Sequence, residues 1–172
     1  MTGRPKLFTS AMSLLGRLTR SQALNVMLPN SYDIYEGPAA ALAYDAVAVA
    51  FTVGLVVTGA GGATGVVQAI TVDGTTGILH LVRTTGAFID DEALTDSGSG
   101  AATVNGVMTP ITGDWCKISI VEAAVFVADG VKHGTTTIVD HGTHSFPVGL
   151  EIIADFKEIQ LLSGVILAHK IT

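Results

Sequence analysis

From residue 38 onward the chain alternates between short hydrophobic runs and turn-forming pairs. The runs fall at 46–57, 65–72, 77–83, 92–95, 101–104, 116–121, 123–128, 135–139, 149–154, 156–162 and 164–169. Between them stand Asp73-Gly74, Thr85-Gly86, the small-residue stretch 97–100, Asn105-Gly106, Asp129-Gly130, His141-Gly142 and Ser163-Gly164. Strand signals at roughly ten-residue intervals, punctuated by turn chemistry, predict a mainly β fold. Its body is an antiparallel sandwich or barrel. No segment after residue 38 sustains the 3.6-residue period of a helix.

Residues 9–28, TSAMSLLGRLTRSQALNVML, carry a different pattern. Met12, Leu15 and Leu18 fall on one helical face and are followed by Leu24 and Met27, with Thr9 or Ser10 as cap. Pro29-Asn30 ends the run, and Thr19-Arg20-Ser21 is a point at which it could split into two short helices. The expected organisation is a basic N-terminal arm with a short helix at 1–37, a β-hairpin repeat lobe at 38–110 and a C-terminal β lobe at 111–172. Residues 38–50 could join the last of these in one body.

Two stretches echo one another, FTVGLVVTGAGGATGVV at 51–67 and FIDDEALTDSGSGAATV at 88–104. Phe51 matches Phe88 and Val57-Thr58 matches Leu94-Thr95, and Gly62-Ala63 matches Gly100-Ala101 after a one-residue shift. Each copy reads as a hairpin with two strands flanking a glycine turn. The first copy also contains Gly59, Gly62 and Gly65, a spacing that opens many nucleotide-binding turns. Such a site needs a helix after the third glycine and an acid about twenty residues on. Here β-branched residues and Asp73-Gly74 follow, and the position near 80 reads Leu79-His80-Leu81. The glycines are therefore expected to make a turn.

Charge sharpens the division. Residues 1–32 hold Arg4, Lys6, Arg17 and Arg20 and no acid, giving +4, whereas the rest carries five basic and fifteen acidic side chains, giving −10. So acidic a body is ill suited to neutralising phosphates, and no nucleic-acid partner is expected. The four basic residues are instead candidates for docking on an acidic partner, a second copy included. Residues 38–57 are apolar and reach the length of about 20 residues that a bilayer requires. Asp45 interrupts them and Val-Ala-Val-Ala alternates as a strand does, so no membrane partner is expected. The apolar stretch near the N-terminus is broken by Ser10, Ser13, Gly16 and Arg17, which argues against a signal peptide. Cys116 is the only cysteine, which excludes an internal disulfide and a thiolate cluster.

Candidate chemistry is sparse. His133, His141 and His144 are the only candidate metal ligands in a polar stretch, but Gly142 and the β context disrupt the helical spacing that zinc would use. Asp90-Asp91-Glu92 and Asp96 lack the alternation of a calcium loop and read as hairpin residues. Trp115 reads as a core anchor. No nucleophile motif is present. No enzyme activity and no cofactor are expected.

Two segments carry a resemblance. The hairpin echo is similar to a module, Phe-x-x-Gly/Asp-Glu-x-hydrophobic-Thr then Ser-Gly-Ala-x-Ala, of structural proteins in tailed bacteriophage particles. Glu92 and Gly100-Ala101 match it, and Leu55 departs where the module prefers Glu. FPVGLEIIADFKEIQLLSGVILAH at 146–169 resembles the C-terminal end of small phage virion proteins, with Ala154 in place of a common glycine and His169 in place of a tyrosine. The resemblance implies a capsid decoration (cement) protein of the virion, commonly a homotrimer, that contacts the major capsid protein or other virion proteins. The alternatives are a tail, neck or fibre-attachment protein, or a carbohydrate-binding adhesion module, against which the scarcity of aromatics speaks.

Overall fold

The computed structural model describes residues 32–73, 75–133, 136–139 and 144–170. The helix expected within 9–28, with Arg4, Lys6, Arg17 and Arg20, lies outside the described residues. What is described is mainly β, with antiparallel pairing throughout.

Six strands, β2 (Ala40–Val49), β3 (Val56–Gly59), β4 (Thr64–Asp73), β5 (Thr76–Thr85), β6 (Ala93–Asp96) and β7 (Ala101–Val104), close into a barrel. The order is β2-β5-β4-β3-β6-β7, and β7 returns to β2. Alternation sends Leu42, Val57, Leu79, Leu81, Leu94 and Val104 inward, all fully buried; each contributes roughly 2 kcal/mol by leaving water. Tyr44 and Phe51 meet edge to face at 5.3 Å across this interior. The run expected at 46–57 is the end of β2 and the start of β3, separated at residues 50–55 by a turn in which Gly54 adopts a φ of +90°.

The echo is a pair of hairpins related by a local two-fold. In β3–β4, Val56, Val57 and Thr58 face Val66, Gly65 and Thr64. In β6–β7, Ala93, Leu94 and Thr95 face Thr103, Ala102 and Ala101. Every position is displaced by 37 residues, the distance from Phe51 to Phe88. The one-residue shift expected at the turn is thus corrected: Gly100-Ala101 corresponds to Ala63-Thr64. Strands β3 and β6 also pair with each other, Thr58 opposite Thr95, Val57 opposite Asp96 and Gly59 opposite Leu94. Equivalent residues exchange partners, as around a two-fold axis.

The remaining strands form a sheet in the order β1-β10-β8-β9, with β1 (Tyr32–Glu36), β8 (Ile111–His133), β9 (Thr136–Val139) and β10 (Glu151–Lys170). Residues 32–36, grouped with the arm in the sequence reading, are thus an edge strand. Strands β8 and β10 bend so far that residues 115–119 of β8 pair with 151–156 on one side and with 167–170 of the same β10 on the other. Trp115, Ile118, Phe126, Phe156, Ile159 and Ile166 fill the space they enclose. The turns expected at Asp129-Gly130 and Ser163-Gly164 are bends inside continuous strands. Gly164 has a φ of +88° and lies so close to β8 that an added Cβ would stand 2.6 Å from the Ala124 Cα. Only glycine supplies both the conformation and the clearance.

Barrel and sheet share a seam. Gly37, Ala39 and Ala41 are hydrogen-bonded through the backbone to Gly164, Leu161 and Thr109. Arg83, left-handed at φ 51°, marks a bulge that aims its guanidinium at Glu36. A bulge re-aims a side chain in this way at the cost of local strain. Thr84 next to it donates from its backbone N–H to the Pro38 carbonyl at 3.0 Å.

Candidate functional site

The seam opens into a cleft of about 530 Å³ lined by β1, β4, β5, β8 and β10. Alternation within YDIYE turns Asp33 and Tyr35 to the same side of β1. There Asp33 accepts a hydrogen bond from the Trp115 indole N–H at 2.9 Å and one from the Tyr35 hydroxyl, and it pairs with Lys170 at 3.0 Å. Burial pushes the Tyr35 hydroxyl far above its ordinary value, and the charge of Asp33 and its hydrogen bond push further the same way. His80 faces this cleft, and burial lowers its pKa against the opposing pull of Asp33. Gln68 donates its side-chain amide to the Ile34 carbonyl on the free edge of β1. Each group around Asp33 is engaged in holding β1 in the seam, and Trp115 is too deeply buried to stack on a ligand. The arrangement is a structural clamp.

A second polar cluster crosses the outer face of the sheet. Ser119 Oγ lies 3.0 Å from His169 Nε2 and donates to Glu151 at 3.3 Å, and Lys117 donates to the same carboxylate at 2.8 Å. The Lys117 hydrogen bond and charge hold Glu151 below its usual range, while burial first, then Lys117, lowers His169. A nucleophilic serine needs its histidine oriented by an acid on the far nitrogen. Here the acid reaches the serine instead. The cluster can relay a proton between strands, but it lacks the order of a hydrolytic triad.

Carboxylates at one end of the barrel act on the backbone. Glu92 accepts the N–H groups of Gly61 at 2.6 Å and Ile89 at 2.9 Å. Asp96 accepts those of Thr52, Gly98 and Gly100, and Asp90 that of Gly106. The local two-fold explains Leu55: an added Cβ on Gly98 would stand 3.0 Å from Leu55 Cδ1, much as Glu92 lies over Gly61, its counterpart. The Gly59, Gly62 and Gly65 spacing belongs to a β3–β4 hairpin with Gly62 at φ +88°, and β4 follows it instead of a helix.

Of the candidate metal ligands, His144 is exposed in a loop, His133 ends β8 and its side chain is not described, and His141 lies outside the described residues. No group of three His, Cys, Asp or Glu side chains converges on a metal position among the described residues. No helix among them is long and apolar enough to cross a membrane, and residues 38–57 contain β2 and part of β3. Sequence reading missed Asp33, Tyr35 and the Ser119–His169 pair. The two-residue period of YDIYE was the available signal for the first two, whereas Ser119 and His169 are joined only by the register of β8 on β10. No protein family, characterised protein or solved structure matches this chain.

Proposed function

We propose that the protein is a structural component of a phage particle, a capsid decoration (cement) protein that bridges and stabilises capsomers of the major capsid protein as a homotrimer. A short helical N-terminal arm bearing Arg4, Lys6, Arg17 and Arg20 completes this reading as a contact for an acidic partner. The observation that carries it is the exposure of the FPVGLEII segment (146–153), which belongs to the stretch that bears the resemblance to phage virion proteins. Val148, Leu150 and Ile153 are 66%, 37% and 77% exposed, an apolar run that a neighbouring subunit would cover. A closed barrel and a self-wrapped sheet hide most of their strand edges, so contacts of this kind fall to side chains and extended segments. The role needs no pocket and no reacting group.

The deciding experiment locates the polypeptide in an imaged particle and counts it per capsomer. The purified protein is expected to scatter light as a trimer or larger at micromolar concentration. The double variant Val148→Asp/Ile153→Asp is expected to dissociate it while leaving the β spectrum unchanged. A wild-type chain that stays monomeric and is absent from particles overturns the reading.

A further inference from the structure

The outer face of the sheet, turned away from Trp115 and its core, holds four apolar side chains that are buried without a described cover. Tyr32, Ile34, Val165 and Leu167 are 6%, 3%, 6% and 9% exposed. Register places them on one face: Ile34 lies opposite Leu167 and Leu167 opposite Ser119, while Tyr32 lies opposite His169. Among the described residues, Val121 is the one further hydrophobic packed against them. A single sheet layer leaves such a face open to water, and it becomes dry only beneath a second layer about 10 Å away.

We propose that the second layer is the N-terminal segment of the same chain, residues 9–28, laid across this face. Tyr32 is the first described residue and belongs to the cluster, so residues 1–31 join the sheet at the rim of the face they would cover. Their tether gives them a high effective concentration there. In helical form, residues 9–28 would span about 30 Å at 1.5 Å per residue. That exceeds the width of three strands spaced about 4.8 Å apart. The stripe of Met12, Leu15 and Leu18 supplies the apolar side. At about 100° per residue, Arg17 and Arg20 fall opposite that stripe. Docking therefore turns the two arginines outward, where an acidic partner could reach them.

Cross-linking tests the seat in the full-length chain. In a Cys116→Ser background, Leu15→Cys is combined with Ser119→Cys and treated with a short bis-maleimide at low micromolar concentration. The linked peptide pair is expected from most chains, at monomer mobility on a denaturing gel. Glu122→Cys in place of Ser119→Cys should give the same result and covers a folding failure of the first pair. Thr58→Cys, exposed on the barrel, should remain unlinked to Leu15→Cys. Links found only between chains, as dimers and larger species, overturn the own-chain assignment. A folded protein with no link, or one that links equally well to the barrel position, overturns the seat. Either failure leaves the particle-imaging test of the decoration role untouched.

Discussion

The barrel and the wrapped sheet dispose of unpaired strand edges by opposite uses of chain length. The barrel takes six strands of 4 to 10 residues and joins them by turns until the last meets the first. The sheet takes two strands of 23 and 20 residues and curls them around each other. Both rely on glycine at the same backbone angle, with Gly62 and Gly164 each at φ +88°. Around Gly62 an added Cβ would meet nothing within 4 Å, whereas at Gly164 it would meet the β8 backbone. One glycine serves conformation alone; the other also serves close approach.

The largest predicted effect follows directly. Gly164→Ala combines a left-handed non-glycine residue with overlap against backbone and is expected to cost roughly 3 kcal/mol, whereas Gly62→Ala should cost about 1 kcal/mol. Urea midpoints at unchanged slope measure both. Equal losses would show that conformation alone governs the two sites and would erase the distinction between turn and bend.

The seam should rank next. Asp33→Ala leaves the Trp115 N–H and the Tyr35 hydroxyl without their acceptor and is expected to cost about 2–3 kcal/mol. Lys170, half exposed, pairs with the same carboxylate, and Lys170→Ala should cost less than about 1 kcal/mol. Trp115 fluorescence followed through urea unfolding reports both variants. A smaller loss for Asp33→Ala than for Lys170→Ala would mean that the aspartate serves the surface ion pair rather than the clamp.

Within the barrel, the local two-fold predicts a rescue. Asp96→Ala removes the acceptor of the Gly98 and Gly100 amides and is expected to cost about 1–2 kcal/mol. Adding Leu55→Glu should recover part of that loss, because a carboxylate at 55 would lie over Gly98 as Glu92 lies over Gly61. Thermal midpoints of the single and double variants decide it. Additive losses would mean that the two hairpins share register but not turn chemistry.

The barrel was the more legible region because its signals are local. A hairpin is written in a short stretch, with Phe51 and Phe88, Thr58 and Thr95 and the intervening glycines marking strand, turn and strand. The wrapped sheet depends on pairings between distant residues. Ser163-Gly164 looks the same in sequence whether the chain reverses there or bends within a strand that is still hydrogen-bonded on both sides. Residue type signals the positive φ, but the neighbouring strand decides what the glycine does. The same limit hid Asp33 from sequence reading, since its partners Trp115 and Lys170 arrive from β8 and β10. Trp115 itself, read as a core anchor, is one.

The smallest effect is a pH dependence shared by the two regions. His80 lies on β5 of the barrel and His169 on β10 of the sheet. Burial is the largest cause holding each below the usual imidazole value of 6.5, opposed by Asp33 at the first and reinforced by Lys117 but opposed by Glu151 at the second. On acidification the unfolded chain therefore takes up these protons before the native one does. Stability from this source is complete above the ordinary value, is lost as pH falls through it, and stops falling below the native pKa. The urea midpoint should thus decline as pH falls through about 6.5. His80→Gln removes the barrel's share and His169→Gln the sheet's, the latter keeping an amide to meet Ser119. A decline that stays as steep in the double variant would assign the acid sensitivity to carboxylates. A decline removed by one substitution alone would place it in that region, and equal shares would show that burial costs the imidazole the same in the seam cleft as on a sheet face.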